Sequence, residues 1–166
     1  LSLTANAGAD IGICQDSQDT LMATGGTTYQ WSPAAGLNNV NIANPIANPT
    51  ATTTYTVTVS SGTCTATDEV IVTVNPDLQI NPPSDQIVCE GLSVNLTASG
   101  ALTYLWSDGS TSASINVTPM LTTIYTVTGT DINGCSDTED VLVTVNPNPP
   151  VDAGTNASVC NGTAVT

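Results

Sequence analysis

The feature that most constrains this chain is the repetition of its own sequence. Cys14, Cys89 and Cys160 are separated by 75 residues (89 − 14) and by 71 residues (160 − 89). The motif Tyr-x-Trp-Ser at residues 29–32 returns at 104–107, in step with the cysteines. A unit of about 71 to 75 residues therefore has to fold into a structure that can stand next to a copy of itself.

The repeats divide the chain into four segments. The predicted boundaries give the end of a preceding copy at 1–4, a first repeat at 5–76, a second repeat at 77–147 and the start of a third, truncated repeat at 148–166. Both complete repeats end in Val-Thr-Val-Asn-Pro. Because proline has a restricted φ and no amide proton to donate to a strand ladder, these junctions favour a semi-rigid connection.

Each repeat is predicted to form a β-sandwich. Apolar residues alternate with threonine from Tyr55 to Val59, and apolar residues again recur at every second position from Val70 to Val74, which buries one side of each strand. Clusters of small and polar residues such as Ser60-Ser61-Gly62 separate these runs and are typical of turns. The predicted fold class is all-β, with about seven short strands in each copy.

Every charged side chain in this sequence is acidic. The chain has 14 Asp and Glu residues and no Lys, Arg or His, which gives a formal net charge of −14. Nucleic acids and anionic membrane surfaces are bound through cationic side chains, so neither is an expected partner. Imidazole bases, lysine Schiff bases and Ser-His-Asp triads are excluded for the same reason. The sequence therefore predicts a protein that is neither an enzyme nor inserted in a membrane.

The five cysteines predict disulfide bonds and leave two connectivities open. Pairing within repeats joins Cys14 to Cys64 and Cys89 to Cys135, and leaves Cys160 to pair beyond this sequence. Pairing across repeats joins Cys64 to Cys89 and Cys135 to Cys160. The first connectivity is favoured, because so small a unit buries little surface and closing a loop of this length contributes about 4 kcal/mol.

Four aromatic residues are predicted to lie in the cores of the sandwiches. They are Trp31, Trp106, Tyr55 and Tyr125. Each Trp follows the first cysteine of its repeat by 17 residues (31 − 14 and 106 − 89). The alternative role for these tryptophans is a platform that binds a ligand.

Several acids recur at the same place in both repeats. The recurring pairs are Asp10 with Asp85, Asp68 with Glu139, and Glu69 with Asp140. Carboxylate oxygens are ligands that Ca²⁺ prefers, so these six residues are candidate calcium ligands, and calcium is the one cofactor expected. The competing interpretation is an acidic, solvated face that keeps the protein soluble.

Four motifs carry a resemblance to a known class of proteins. They are Ala-Gly-x-Asp-x-x-Ile-Cys at 7–14, Tyr-x-Trp-Ser-Pro-Ala-x-Gly-Leu at 29–37, Asn-Pro-x-Ala-x-Pro-Thr-Ala-Thr-Thr-Thr-Tyr-Thr-Val-Thr-Val at 44–59, and Asp-x-Asn-Gly-Cys at 131–135. In combination they resemble the Ig-like and PKD-like repeats of large Bacteroidota surface proteins, including gliding-motility adhesins exported by the type IX system. The resemblance covers essentially the whole chain and implies tandem Ig-like β-sandwich repeats.

The resemblance also implies a function. Such repeats form a stiff stalk or fibre for attachment in a secreted adhesin or surface filament, with neighbouring repeats, other copies of the chain or surface polysaccharide as partners. The alternative is a carbohydrate-binding or spacer module appended to a secreted enzyme. Asp19-Thr20-Leu21 is similar to the short O-glycosylation motif of Bacteroidota, which makes Thr20 a candidate modification site.

Overall fold

The computed structural model describes residues 2–149 of the chain, and all regular secondary structure in that range is β-strand. Within the same range no helix is long and apolar enough to cross a membrane. The predicted all-β fold class is confirmed. Most of the segment predicted to start a third repeat, 150–166 with Cys160, lies outside the described residues.

The first sandwich is built from six strands. They are β1 (Ile11–Cys14), β2 (Asp19–Thr20), β3 (Thr28–Ser32), β4 (Ile46–Ala47), β5 (Thr53–Ser61) and β6 (Cys64–Asn75). One sheet has the order β1-β6-β5-β3 and the other pairs β2 with β4. Within the larger sheet β1 runs parallel to β6, whereas β6, β5 and β3 are antiparallel to their neighbours.

The second sandwich repeats this arrangement. Its strands are β7 (Gln86–Cys89), β8 (Val94–Thr97), β9 (Thr103–Trp106), β10 (Ser114–Val117), β11 (Thr123–Thr130) and β12 (Ser136–Asn146). The sheets have the orders β7-β12-β11-β9 and β10-β8, and β7 is parallel to β12. Each sandwich has six strands rather than the predicted seven, because a further pairing is reduced to one isolated bridge, Asn6 with Thr24 and Asn81 with Ser99.

Each sandwich has its own hydrophobic core. In β5 the side chains of Tyr55, Val57 and Val59 are buried while the threonines between them lie on the other face. This follows from the two-residue period of a strand, which sends alternate side chains to opposite faces. Val70 and Val72 of β6 complete the same layer, and Val127, Val141 and Val143 do so in the second core.

One Trp anchors each core. Trp31 is 1% exposed and Trp106 is 2% exposed. The indole N–H of Trp31 donates to the carbonyl of Ile42 at 3.0 Å, and that of Trp106 donates to the carbonyl of Ser112 at 2.9 Å. A buried indole needs such an acceptor, because an unpaired donor would be costly to bury.

The connection between the two cores is short. Val74 still packs against the first core, and Leu78 and Ile80 already pack against the second. The backbone N–H of Ile80 donates to the Oδ2 atom of Asp137 at 3.0 Å, which holds the entering chain against β12. At the other end Leu3, which the sequence places in a preceding copy, packs against the first core.

Candidate functional site at the junction of the two sandwiches

A disulfide bond joins the two sandwiches to each other. Cys14 at the end of β1 is bonded to Cys135, which immediately precedes β12, with 5.6 Å between their Cα atoms and 121 residues between them in sequence. Cys135 is 2% exposed. Neither of the two predicted connectivities contains this bond.

The strand register explains why pairing within the first repeat is wrong. Cys14 lies opposite Asn75, the last residue of β6, whereas Cys64 is the first residue of β6. The two ends of β6 are 11 residues apart (75 − 64), which is about 36 Å along a strand. Cysteines whose Cα atoms are more than about 7 Å apart cannot be bonded without moving the backbone.

The same geometry excludes the other predicted pairs. Cys89 lies opposite Asn146 at the end of β12, so it is equally far from Cys135 at the start of that strand. Among residues 2–149 both Cys64 and Cys89 are free and exposed, so they are not bonded to each other. The predicted bond from Cys135 to Cys160 is also wrong, because the sulfur of Cys135 is already bonded to that of Cys14.

An ordered loop presents Cys135 to the first sandwich. The Oδ1 atom of Asp131 accepts hydrogen bonds from the backbone N–H groups of Asn133 and Cys135, each at 2.8 Å. The backbone N–H of Asp131 in turn donates to the carbonyl of Cys135 at 2.9 Å, and Gly134 has φ +83°. Asp, Asn and Gly are the residues that such a loop requires, because they bond their own backbone or tolerate left-handed φ.

A tight turn holds Cys14 on the other side of the junction. The backbone N–H of Gln15 donates to the carbonyl of Asn75 at 2.9 Å, and the amide side chain of Asn75 donates to the carbonyl of Ile13 at 3.2 Å. Asp16, at φ +59°, lets the chain turn back so that Ser17 donates to the carbonyl of Cys14 at 3.0 Å. Cys14 is therefore held at the point where the chain leaves the first sandwich.

The disulfide and the linker together close a ring between the sandwiches. From Asn75 the backbone passes through Pro76 to Ile80, which is hydrogen-bonded to Asp137, two residues from Cys135. From Cys135 the disulfide returns to Cys14, opposite Asn75. Two covalent connections restrict rotation of one sandwich against the other more than a single linker does, because rotation about the linker would have to stretch the ring.

Two of the recurring acids have the same structural role in both repeats. The Oδ1 atom of Asp10 accepts the backbone N–H of Ile71 at 2.8 Å, and that of Asp85 accepts the backbone N–H of Leu142 at 2.9 Å. Each bond lies just ahead of the parallel pairing of β1 with β6 or of β7 with β12. These carboxylates therefore fasten the first strand of each sandwich to its last strand.

The other candidate calcium ligands lie apart from one another. Asp68 accepts the backbone N–H of Ala7 at 2.8 Å, Glu69 accepts the hydroxyl of Thr56 at 3.2 Å, and Asp140 accepts the hydroxyl of Thr126 at 2.7 Å. Glu139 is exposed. In the part of the chain that the structure describes, no three metal-binding side chains come together. Calcium binding stays a prediction, and the structure gives these carboxylates hydrogen-bond partners.

The remaining candidate residues are placed as follows. Tyr55 is buried and its hydroxyl donates to the carbonyl of Ala35 at 2.7 Å, whereas Tyr125 is half-buried. Burial raises the pKa of both phenols above the ordinary value of 10.0, opposed at Tyr55 by a hydrogen bond with Thr53 and reinforced at Tyr125 by the charge of Asp108. The buried tryptophans have no face open to solvent, so their placement does not support a role as a sugar-binding platform.

Thr20 lies in β2 and is exposed. Its backbone N–H donates to the Oδ1 atom of Asp19 at 2.7 Å. The position is open to a modifying enzyme, and O-glycosylation of Thr20 stays a prediction.

Taken with the topology, these features define a class: two immunoglobulin-like β-sandwiches in tandem. Neither a protein-family model nor a curated protein sequence matches the chain. Among solved structures, the extracellular domains 3–5 of Drosophila OTK are similar with a TM-score of 0.51 at 13% identity, over 83% of this chain and 59% of that one. That likeness concerns the fold, and this chain spans about three fifths of the OTK fragment.

Two further structures show lower similarity. The I-band fragment I67–I69 of titin matches with a TM-score of 0.44 at 13% identity, over 87% of this chain and 64% of that one. The domains IG1 and IG2 of DIP-gamma match with a TM-score of 0.39 at 10% identity, over 87% of this chain and 99% of that one. The predicted fold of tandem Ig-like β-sandwich repeats is confirmed.

Proposed function

We propose that the chain is a structural repeat region of an extracellular adhesin or surface filament, in which it forms part of a stiff stalk or fibre for attachment. The observation that carries this proposal is the bond from Cys14 to Cys135 across the junction. A stalk has to transmit position and force from one repeat to the next, and a second covalent connection at each junction supplies that property.

The dimensions of the repeats suit such a role. The long strand β6 has 12 residues and β12 has 11, so each sandwich extends about 36 to 40 Å along its long strand. Cys14 and Cys135 join the end of one long strand to the start of the next. Repeats joined in this way add length with every copy instead of packing into one globule.

An oxidising location is the natural setting for this bond. Disulfides persist in secreted and cell-surface proteins and are rare where thiol reductants are abundant. A surface with a net charge of −14 and no cations also favours solubility over lateral collapse. Both properties support the exterior of a cell, in keeping with the resemblance to Bacteroidota surface repeats.

Residual dipolar couplings measured by NMR test the stiffness of the junction. The reference chain carries Cys64→Ser, Cys89→Ser and Cys160→Ser to prevent cross-linking, and the comparison chain has Cys14→Ser and Cys135→Ser in addition. We expect one alignment tensor to fit both sandwiches of the reference chain and two tensors of different magnitude in the comparison chain. Two independent tensors in the oxidised reference chain would contradict the proposal.

Electron microscopy of the native material tests the role itself. The proposal predicts rods or fibres on the exterior of the cell that are labelled by an antibody against this chain. Compact particles without an elongated form would contradict it.

A further inference from the structure

We propose that Cys64 and Cys89 are bonding positions for further copies of this repeat. In this proposal Cys89 bonds to the hairpin cysteine of the sandwich that follows the second, and Cys64 bonds to the first-strand cysteine of a sandwich that precedes the first. The inference rests on the proposed stalk role, since it requires more than one junction of the kind seen here. It makes the stalk a continuous series of covalently joined sandwiches.

Cys89 lies in the same structural position as the bonded Cys14. Cys14 is opposite Asn75 and Cys89 is opposite Asn146, and a proline follows each of these asparagines. In both turns the backbone N–H three residues after the cysteine donates to the cysteine carbonyl, at 3.0 and 3.1 Å. The sulfur of Cys89 is therefore held at the exit end of its sandwich, as that of Cys14 is held at the junction.

Cys64 lies in the position of the bonded Cys135. Cys64 comes four residues before Asp68 and Cys135 comes four residues before Glu139 (68 − 64 and 139 − 135). Asp68 and Glu139 occupy the same rung of the ladder, each opposite a valine that is itself opposite the core Trp. Cys64 is thus at the entry end of the first sandwich, where a preceding repeat would present its own first-strand cysteine.

Exposure distinguishes the bonded cysteines from the free ones. Cys135 is buried at the junction, whereas Cys64 and Cys89 are exposed thiols. They also lie at opposite ends of the pair of sandwiches, because the junction uses the exit end of the first sandwich and the entry end of the second. Each free sulfur is therefore available only to a partner outside residues 2–149.

The partner of Cys89 is identified by the sequence and by the surface around it. Residues 148–166 begin a third copy, whose first cysteine, Cys160, follows Cys89 by 71 residues (160 − 89). Beside Cys89 is an open groove of about 470 Å³ that includes Met120 and Leu121, which are 58% and 78% exposed. An apolar surface at this end fits coverage by the next sandwich better than permanent contact with water.

Formation of the bond is a balanced thiol–disulfide exchange. The thiolate of Cys89 attacks a disulfide oxidant, such as oxidised glutathione or a thiol oxidoreductase, and one thiol of the oxidant leaves. The thiolate of the partner cysteine then attacks this mixed disulfide, forms the new S–S bond and releases the second thiol. Two cysteine thiols are oxidised, one disulfide of the oxidant is reduced to two thiols, and the protons of the two cysteines end on those thiols.

Mixing two variants tests whether the two ends recognise each other. Both carry Cys160→Ser and keep Cys14 and Cys135, and one has Cys64→Ser while the other has Cys89→Ser. In a buffer of reduced and oxidised glutathione we expect a disulfide-linked dimer only in the mixture, with each variant alone remaining monomeric. Homodimers formed by either variant alone in the same yield as the mixed dimer would overturn the proposal.

A tethered chain provides a second measurement that does not depend on encounter in solution. A second copy of residues 77–147 is appended directly after Pro147, and the disulfides are mapped without reduction. We expect Cys89 to be bonded to the Cys135 of the appended copy, and changing that cysteine to Ser to abolish the bond. A free Cys89 in this chain overturns the proposal.

The two proposals fail separately. A flexible junction in the dipolar-coupling measurement would sink the stalk role while leaving the connectivity of Cys89 readable. Conversely, inert thiols at Cys64 and Cys89 would leave the stiffness of the Cys14–Cys135 junction untouched.

Discussion

Cys14 faces Asn75 across the last rung of the parallel ladder between β1 and β6, and this pairing decides where its sulfur can reach. Asn75 is followed by the linker, so the cysteine and the exit of the chain lie side by side. The start of β12, with Cys135 just ahead of it, is held near the other end of the linker by the bond from Ile80 to Asp137. The disulfide therefore closes across a junction that the strand register has already prepared.

Removal of this disulfide should lower the stability of the chain. Cys14→Ser opens a loop of 121 residues, and loss of the corresponding restriction on the unfolded chain is expected to reduce the free energy of unfolding by about 4 to 5 kcal/mol. Guanidinium unfolding followed by tryptophan fluorescence measures the change. Cys64→Ser is the control, because that thiol is exposed and unbonded, and an equal loss in the control would contradict the account.

Gly129 should not tolerate a side chain. A Cβ atom there would lie 2.5 Å from Cγ2 of Ile80 and 2.7 Å from Cβ of Ala101, so Gly129→Ala is expected to cost about 1 to 3 kcal/mol by overpacking. Thermal unfolding followed by circular dichroism measures it. Gly12→Ala is the matched control, since its Cβ would meet only the side-chain amide of Asn75, at 3.4 Å, and its melting temperature should stay close to that of the parent.

Asp85 tests whether a recurring acid is structural. Asp85→Ala removes the acceptor of the Leu142 N–H and should reduce the free energy of unfolding by about 1 kcal/mol. Asp85→Asn keeps an acceptor oxygen at the same place and should retain most of that stability. Chemical unfolding with calcium and with a chelator completes the test. A loss in both variants that appears only when calcium is present would instead assign Asp85 to a metal site.

Alkaline pH should destabilise the first sandwich through Tyr55. Burial raises the pKa of this phenol in the folded state above its unfolded value of 10.0, so its contribution to stability is complete below that pH. Above it the unfolded chain loses the proton first, and the free energy of unfolding falls as pH rises toward the folded pKa. Tyr55→Phe should flatten this fall in guanidinium unfolding between about pH 9 and 11.5. An unchanged slope would contradict the assignment, and Tyr125→Phe gives the corresponding test in the second sandwich.

Residue patterns were sufficient to predict the fold but not the disulfide. The alternation from Tyr55 to Val59 predicts a half-buried strand because a strand's two faces differ every second residue, and that strand is observed. The disulfide depends instead on a long-range register, the parallel pairing of β1 with the end of β6, which spacing along the chain does not contain. Equal separations between cysteines therefore favoured bonds that the folded geometry forbids.

The recurring acids show the same limit. Repetition of Asp10 at Asp85 correctly indicates a shared requirement of both repeats. The requirement is a backbone N–H supplied by a residue 61 positions away in the first sandwich and 57 in the second, so it becomes visible only once the first and last strands are paired. The sequence alone cannot distinguish such an acceptor from a metal ligand, because the same carboxylate chemistry serves both.

The most direct test of the central claim is disulfide mapping of the unreduced protein. Since the chain contains no Lys or Arg, digestion has to use proteases that cut at Asp and Glu, followed by mass spectrometry of the linked peptides. The account predicts a peptide pair that joins Cys14 to Cys135, lost after reduction. A pair joining Cys14 to Cys64, or Cys14 recovered as a free thiol from oxidised protein, would contradict it.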